Sequence, residues 1–200
     1  MKRNTTMRKI NTNIDLSDVQ IEREIRRTAL KNRRFRTVRH TVAWLTVFTA
    51  VCVLATAFWF PVYQITGNSM KPYLEPGQFV LACRTGKPER GDVVALYYGG
   101  QTLIRRVIGL PGDWILINEQ GQVFLNDNLI EEKYLTETVL GTSDITYPCM
   151  VPENCYFVMG DHRAASLDSR MSAMGCINEE KIAGKILFRI WPLKKMGYLG

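Results

Sequence analysis

Between Arg39 and Lys71 the chain contains no Asp, Glu, Lys or Arg, and residues 41–60 place nine Val, Leu or Phe in twenty positions. Twenty residues of α-helix at ~1.5 Å each cross the ~30 Å hydrocarbon core of a bilayer. A charge at the helix centre would cost roughly 3 kcal/mol, and none is present. Trp44 and Trp59 stand near the two ends, where amphipathic rings favour the interface, and Pro61 closes the helix. The stretch reads as a transmembrane signal anchor over residues 41–62, preceded by a basic tail, 1–40, and followed by a second domain, 63–200. A cleavable secretory signal is the alternative, with Ala55-Thr56-Ala57 as its cleavage pattern. The long basic segment before the span and the apolar residues continuing to Phe60 favour the anchor.

Charge is divided sharply by this span. Residues 1–40 carry 12 Lys or Arg against 4 Asp or Glu, whereas the remaining 160 residues carry 14 against 15. A nucleic-acid footprint would lie on the folded domain, and that domain is nearly neutral, so no nucleic-acid partner is expected. Lys31, Arg33, Arg34, Arg36 and Arg39 immediately before the span keep the N-terminus in the cytoplasm by the positive-inside rule, which puts the second domain outside. The protein is therefore expected in the cell membrane as a single-pass chain, with its tail against anionic lipid. Ser17 with Gln20 forms a capping-box pattern that would open a short helix in that tail.

Cys52 lies in the span and Cys83, Cys149, Cys155 and Cys176 lie beyond it. Without a CxxC spacing, and with only His40 and His162 in the chain, no metal site is expected. Cys149 and Cys155, six apart across a turn, are the pair that would form a disulfide in an oxidising compartment, and the spacing leaves open whether they do.

After the span, short runs rich in Val, Ile, Leu and Tyr alternate with Gly and Pro. Residues 78–83, 92–98, 103–109, 114–118, 122–125, 155–159 and 182–191 read as seven strands. The expected fold is mostly β, an antiparallel β-sheet domain behind one transmembrane helix. Hairpin connections are expected at 118–121 and 126–128.

Four segments carry the chemistry: GNSMKPYLEPG at 67–77, RGDVVAL at 90–96, LIRRVIGLPGD at 103–113 and GDHRAASLDSR at 160–170. In this order, behind an N-terminal anchor, they resemble the type I signal peptidases, membrane-bound serine proteases that remove signal peptides from exported preproteins. The resemblance runs from the anchor to Trp191-Pro192. It implies Ser69, followed by Met70, as the nucleophile, with its own N–H as an oxyanion donor. It implies that Ser166 orients the base, that Asp168 and Arg170 form a supporting ion pair on one strand face, and that Arg106 supports the site. It implies no cofactor. The expected partners are preprotein signal peptides bound in extended form near 66–69 and 103–106, and membrane lipid, with a translocon or an active paralogue as further candidates. Arg90-Gly91-Asp92 lies inside a family segment and reads as structural rather than adhesive. Repressor-type self-cleaving proteases share serine–lysine chemistry, but they are soluble and this chain carries an anchor.

One position departs from the family. Where the family has a neutral lysine as general base, this chain has Arg105. Burial lowers a lysine from ~10.4 to roughly 5 or 6, whereas arginine stays protonated in proteins. Arg105 is thus not a proton acceptor, although its planar fork can bind Ser69, Ser166 or a carbonyl. Three readings follow: a catalytically silent membrane-tethered binding or chaperone module for exported subunits, a peptidase using another base, or a partner of an active paralogue. The alternative bases are His162, since histidine is the side chain whose ordinary pKa, ~6.5, suits a general base, and Lys71, two residues beyond Ser69 and on the same side if that segment is extended.

Overall fold

The structure, a computed structural model, describes residues 12–84 and 86–199. A single helix, α1 (Thr12–Trp59), runs for 48 residues. The first eleven residues of the expected tail lie outside the described residues. No Gly or Pro occurs between Thr12 and Phe60, so nothing interrupts the helix once formed. It therefore begins well before the expected anchor, and Ser17 is an interior helix position rather than an N-cap. Thr37–Trp59, 23 residues with a mean hydropathy of 2.0, is long and apolar enough to cross a membrane. The hydroxyls of Thr41, Thr46 and Thr49 each donate to the carbonyl four residues back, at 2.8–2.9 Å, so they need no water.

The helix up to Leu54 forms one compact unit and the chain from Ala55 another. At the helix end Phe60 N–H still bonds Thr56 O, and Pro61 breaks the ladder. The carbonyls of Trp59 and Pro61 accept instead from Arg84 and Ala82 N–H, at 3.2 and 2.9 Å, so the last helical residues feed directly into a sheet.

Strands follow as β1 (Val62–Gln64), β2 (Phe79–Cys83), β3 (Val93–Tyr98), β4 (Gln101–Gly109), β5 (Trp114–Ile117), β6 (Val123–Leu125), β7 (Asn128–Leu129), β8 (Cys149–Met150), β9 (Cys155–Met159), β10 (Ile177–Asn178), β11 (Ile182–Trp191) and β12 (Gly197–Tyr198). They make two antiparallel sheets. The large one has the order β1-β2-β11-β3-β4-β9-β10, with β12 beside β11; the small one has the order β7-β6-β5-β8. All seven expected strands are present. Five further strands of two or three residues escape the alternation pattern because a partner strand, not their own sequence, holds them extended. Asn126 and Asp127, at φ +48° and +65°, make the tight turn between β6 and β7.

The apolar runs of β3 and β9 are explained by burial on both faces. Val93 and Ala95 enter one core with Met70, Leu74 and Ile186, while Val94 and Leu96 enter another with Val107 and Tyr156. Phe157 and Met159 enter a third core under the small sheet, with Ile115, Val123 and Leu125. Each such fully buried aliphatic side chain contributes ~1.5–3 kcal/mol over an exposed one. All five cysteines are free thiols, so the Cys149–Cys155 pairing weighed from spacing is not formed. The Arg90-Gly91-Asp92 segment is structural: Arg90 bonds Asp113 and Asp92 pairs with Lys185, at 2.7 and 2.8 Å.

Candidate active site

Ser69 lies in the loop from β1 to β2, within a turn held by Lys71 N–H on Asn68 O and Leu74 N–H on Met70 O. The turn is pinned from below by Met70 and Leu74, 1% and 0% exposed, so Ser69, next to that anchor, stands half-buried at the surface. Its carbonyl accepts from the His162 N–H at 2.9 Å, which ties the serine loop to the 160–170 segment. Gly160 permits this approach. A Cβ there would lie 2.2 Å from Ser166 Oγ and 2.6 Å from Ser69 O.

β4 supplies the opposing residue. Arg105, 4% exposed, donates from Nη1 to Ser69 Oγ at 2.8 Å and to Ile104 O at 2.6 Å, and from Nε to Leu167 O at 2.8 Å. Burial pushes its guanidinium below its ordinary value, with Asp168 pulling the other way. A guanidinium nonetheless keeps its proton, so this contact is a donation to Ser69 and not the removal of its hydrogen.

The residues around this pair form ion pairs. Arg106 meets Asp161 through two bonds of 2.9 and 2.6 Å and lies between the rings of Tyr73 and Tyr134, at 4.6 and 4.0 Å. Arg170 grips Asp168 through Nε and Nη2, both at 2.8 Å, and the Gly160 N–H adds a bond of 3.0 Å. Burial raises the Asp168 carboxyl, but Arg170 outweighs it and holds the group below its ordinary value of 3.8. The expected pair is therefore formed, although residues 166–170 are irregular loop and not a strand. Ser166 Oγ is buried without a hydrogen-bond partner among the described residues, so it does not orient Arg105.

Lys71 and His162 do not reach the hydroxyl. Their side chains line a separate hollow of about 410 Å³ with Pro72, Glu137 and Asp161. The groove at Ser69, about 320 Å³, is lined by Ile65, Gly67, Ser69, Thr102, Ile104 and Arg105, among others, and includes neither. Neither expected alternative base hydrogen-bonds Ser69 Oγ among the described residues; Ser69 lies in a turn rather than in extended chain, and His162 meets the serine loop through its backbone N–H. No cluster of metal-ligating side chains occurs among the described residues.

Three contributors were not visible in the sequence: Tyr73, whose ring faces Arg106, and Glu132 and Tyr134. Glu132 bonds both terminal nitrogens of Arg163 and the Tyr134 hydroxyl, and Arg163 Nε holds Gly160 O at 3.1 Å. Glu132 and Tyr134 lie in an irregular segment without a motif, so only the arginine of G-D-H-R hinted at a carboxylate partner.

The family described as signal peptidase, peptidase S26, matches residues 38–191. The chain is 32% identical to signal peptidase I of Bacillus licheniformis over 86% of its own length and 97% of the relative's. It is 33% identical to signal peptidase I of Bacillus caldolyticus, over 76% and 91%. Signal peptidase IB of Staphylococcus aureus is 34% identical, over 68% and 80%.

Proposed function

The chain belongs to the signal peptidase family, peptidase S26, and we propose that it is a membrane-tethered serine endopeptidase that cuts signal peptides from exported preproteins, with Ser69 as nucleophile. The observation that carries this reading is the half-exposed Ser69 hydroxyl at the edge of a groove, 2.8 Å from the guanidinium at the family's lysine position. The groove suits an extended segment. From Gln101 to Arg105, β4 pairs with β3 alone, because β9 joins only at Arg106, so this half of the strand offers a free edge. The Ser69 N–H has no hydrogen-bond partner among the described residues and is available to an oxyanion.

The anchor adds proximity. With the basic cluster from Lys31 to Arg39 held in the cytoplasm, the β unit stands outside, and a preprotein retained by its own apolar segment meets it at high effective concentration. Signal segments and membrane lipid are then the partners.

Turnover is slow in this reading. Attack by Ser69 needs an acceptor for its proton, and because Arg105 is a fixed donor that proton passes to solvent in the open groove, a far weaker base than a neutral lysine. That same contact favours a second reading, a chain that holds signal segments without cutting them. Incubation of the full chain in vesicles with a radiolabelled preprotein separates the two. The peptidase reading predicts slow cleavage that disappears in Ser69→Ala. Binding without any Ser69-dependent product supports the second reading and ends the first.

A further inference from the structure

Four arginines are buried around the site, and three of them face a carboxylate: Arg106 meets Asp161, Arg163 meets Glu132, and Arg170 meets Asp168. Arg105 is the exception. It is 4% exposed, and among the described residues its bonds go to two backbone carbonyls and one hydroxyl, none of them charged. Asp168, the acid that acts on it from a distance, spends both oxygens on Arg170 and backbone N–H groups. A buried cation without a counter-ion is costly, and proteins nearly always pair it.

The hydroxyl above it is polarised in a matching sense. Because Arg105 donates to Ser69 Oγ, the oxygen's own hydrogen is left to donate elsewhere, and no acceptor for it occurs among the described residues. The Ser69 N–H is likewise unpartnered. Ser69, with its unpartnered N–H and O–H, and the Arg105 guanidinium thus line the same groove, 2.8 Å apart. Donors without acceptors around a positive charge describe a receptor for an anion, and with Nε and Nη1 of Arg105 already bonded, Nη2 is its nitrogen without a partner among the described residues.

We propose that the Ser69 end of the groove binds a peptide C-terminal carboxylate, that of a signal segment already cut at its cleavage site, with Arg105 as the missing counter-ion. This rests on the reading that the groove takes signal segments ending at Ser69. The scissile carbonyl of an intact segment lies where the new carboxylate lies after cleavage, and only the carboxylate carries the charge that Arg105 lacks. A lysine that gives up its proton is neutral at this position, whereas Arg105 keeps its charge and so retains the carboxylate. The released segment is then a competitive ligand.

Binding is measured by fluorescence anisotropy on the full chain in detergent. The probes are labelled peptides with alanine at the first and third positions before the end, as the free acid, as the C-terminal amide, and as the amide with aspartate at the last position. The free acid binds at least tenfold more tightly than the plain amide, and Arg105→Gln brings the two within twofold. Equal binding of acid and amide by the wild-type chain overturns the proposal and leaves the groove reading standing. Absence of binding by every peptide overturns both. An aspartate amide that binds as tightly as the free acid assigns the site to a side-chain carboxylate and overturns the C-terminal assignment. The wild-type comparison decides the question even if Arg105→Gln does not fold.

Discussion

Asp168 and Arg170 bury both side chains completely, and their contact frames the loop that carries Ser166. Breaking such a pair strands a charge, so Asp168→Asn is expected to lose about 3–5 kcal/mol in urea unfolding at pH 7. The pH dependence follows from the carboxyl's lowered value. The pair's contribution is complete above the ordinary value of 3.8 and disappears as pH falls through the lower folded value. Wild-type stability thus declines in acid more steeply than that of Asp168→Asn, and equal slopes would refute the assignment. Asp168 and Arg170 were legible because they lie two residues apart in one motif, whereas Ser69 and Arg105, 36 residues apart, were legible only through the resemblance of their segments to a known family. Glu132, Tyr134 and Tyr73 were not, because what they touch, Arg163 and Arg106, lies about 30 residues distant and the contact exists only after folding. Lys71 shows the limit of spacing: two residues share a side only in extended chain, and the serine loop turns.

At the scale of elements, the longer strands declared themselves through alternation or through the continuous apolar runs of two-sided burial in β3 and β9. The strands of two or three residues and the upstream reach of α1 did not, since pairing partners and the absence of helix breakers decide them. The pairing of β10 with β9 bears on the cysteines, because it packs Cys176 with Cys149 and Cys155 against the core under the small sheet. Burial, with the two neighbouring thiols adding to it, pushes Cys176 up to about 11 from an ordinary 9.0. The folded thiol holds its proton more tightly, so this burial favours the fold fully below pH 9 and is lost as pH rises through about 11. Iodoacetamide at pH 8.5 is expected to modify Cys176 at least tenfold more slowly in the folded chain than in urea, read by peptide mass spectrometry. Equal rates would contradict this packing.

For the whole molecule, the division of charge along the chain carries the argument: a basic segment, an apolar helix, and a nearly neutral β unit. The proposed orientation, Arg23 inside the cell and Glu137 outside, predicts that a membrane-impermeant maleimide applied to intact cells labels Glu137→Cys above the unsubstituted chain, and labels Arg23→Cys only after permeabilisation. Both side chains are exposed, so access across the membrane decides the outcome. The reverse pattern would invert the orientation and remove the β unit from exported substrates. In the proposed function, position 105 sets what that unit does with a bound segment, since an amine can give up its proton there and a guanidinium cannot. The most direct test compares the rate of preprotein cleavage by the wild-type chain and by Arg105→Lys in the same vesicles. General-base catalysis is worth ~10²–10⁴ in rate, so Arg105→Lys is expected to be at least a hundredfold faster, with the gain abolished by adding Ser69→Ala. A wild-type rate equal to or above that of Arg105→Lys would show that the guanidinium does not limit the reaction.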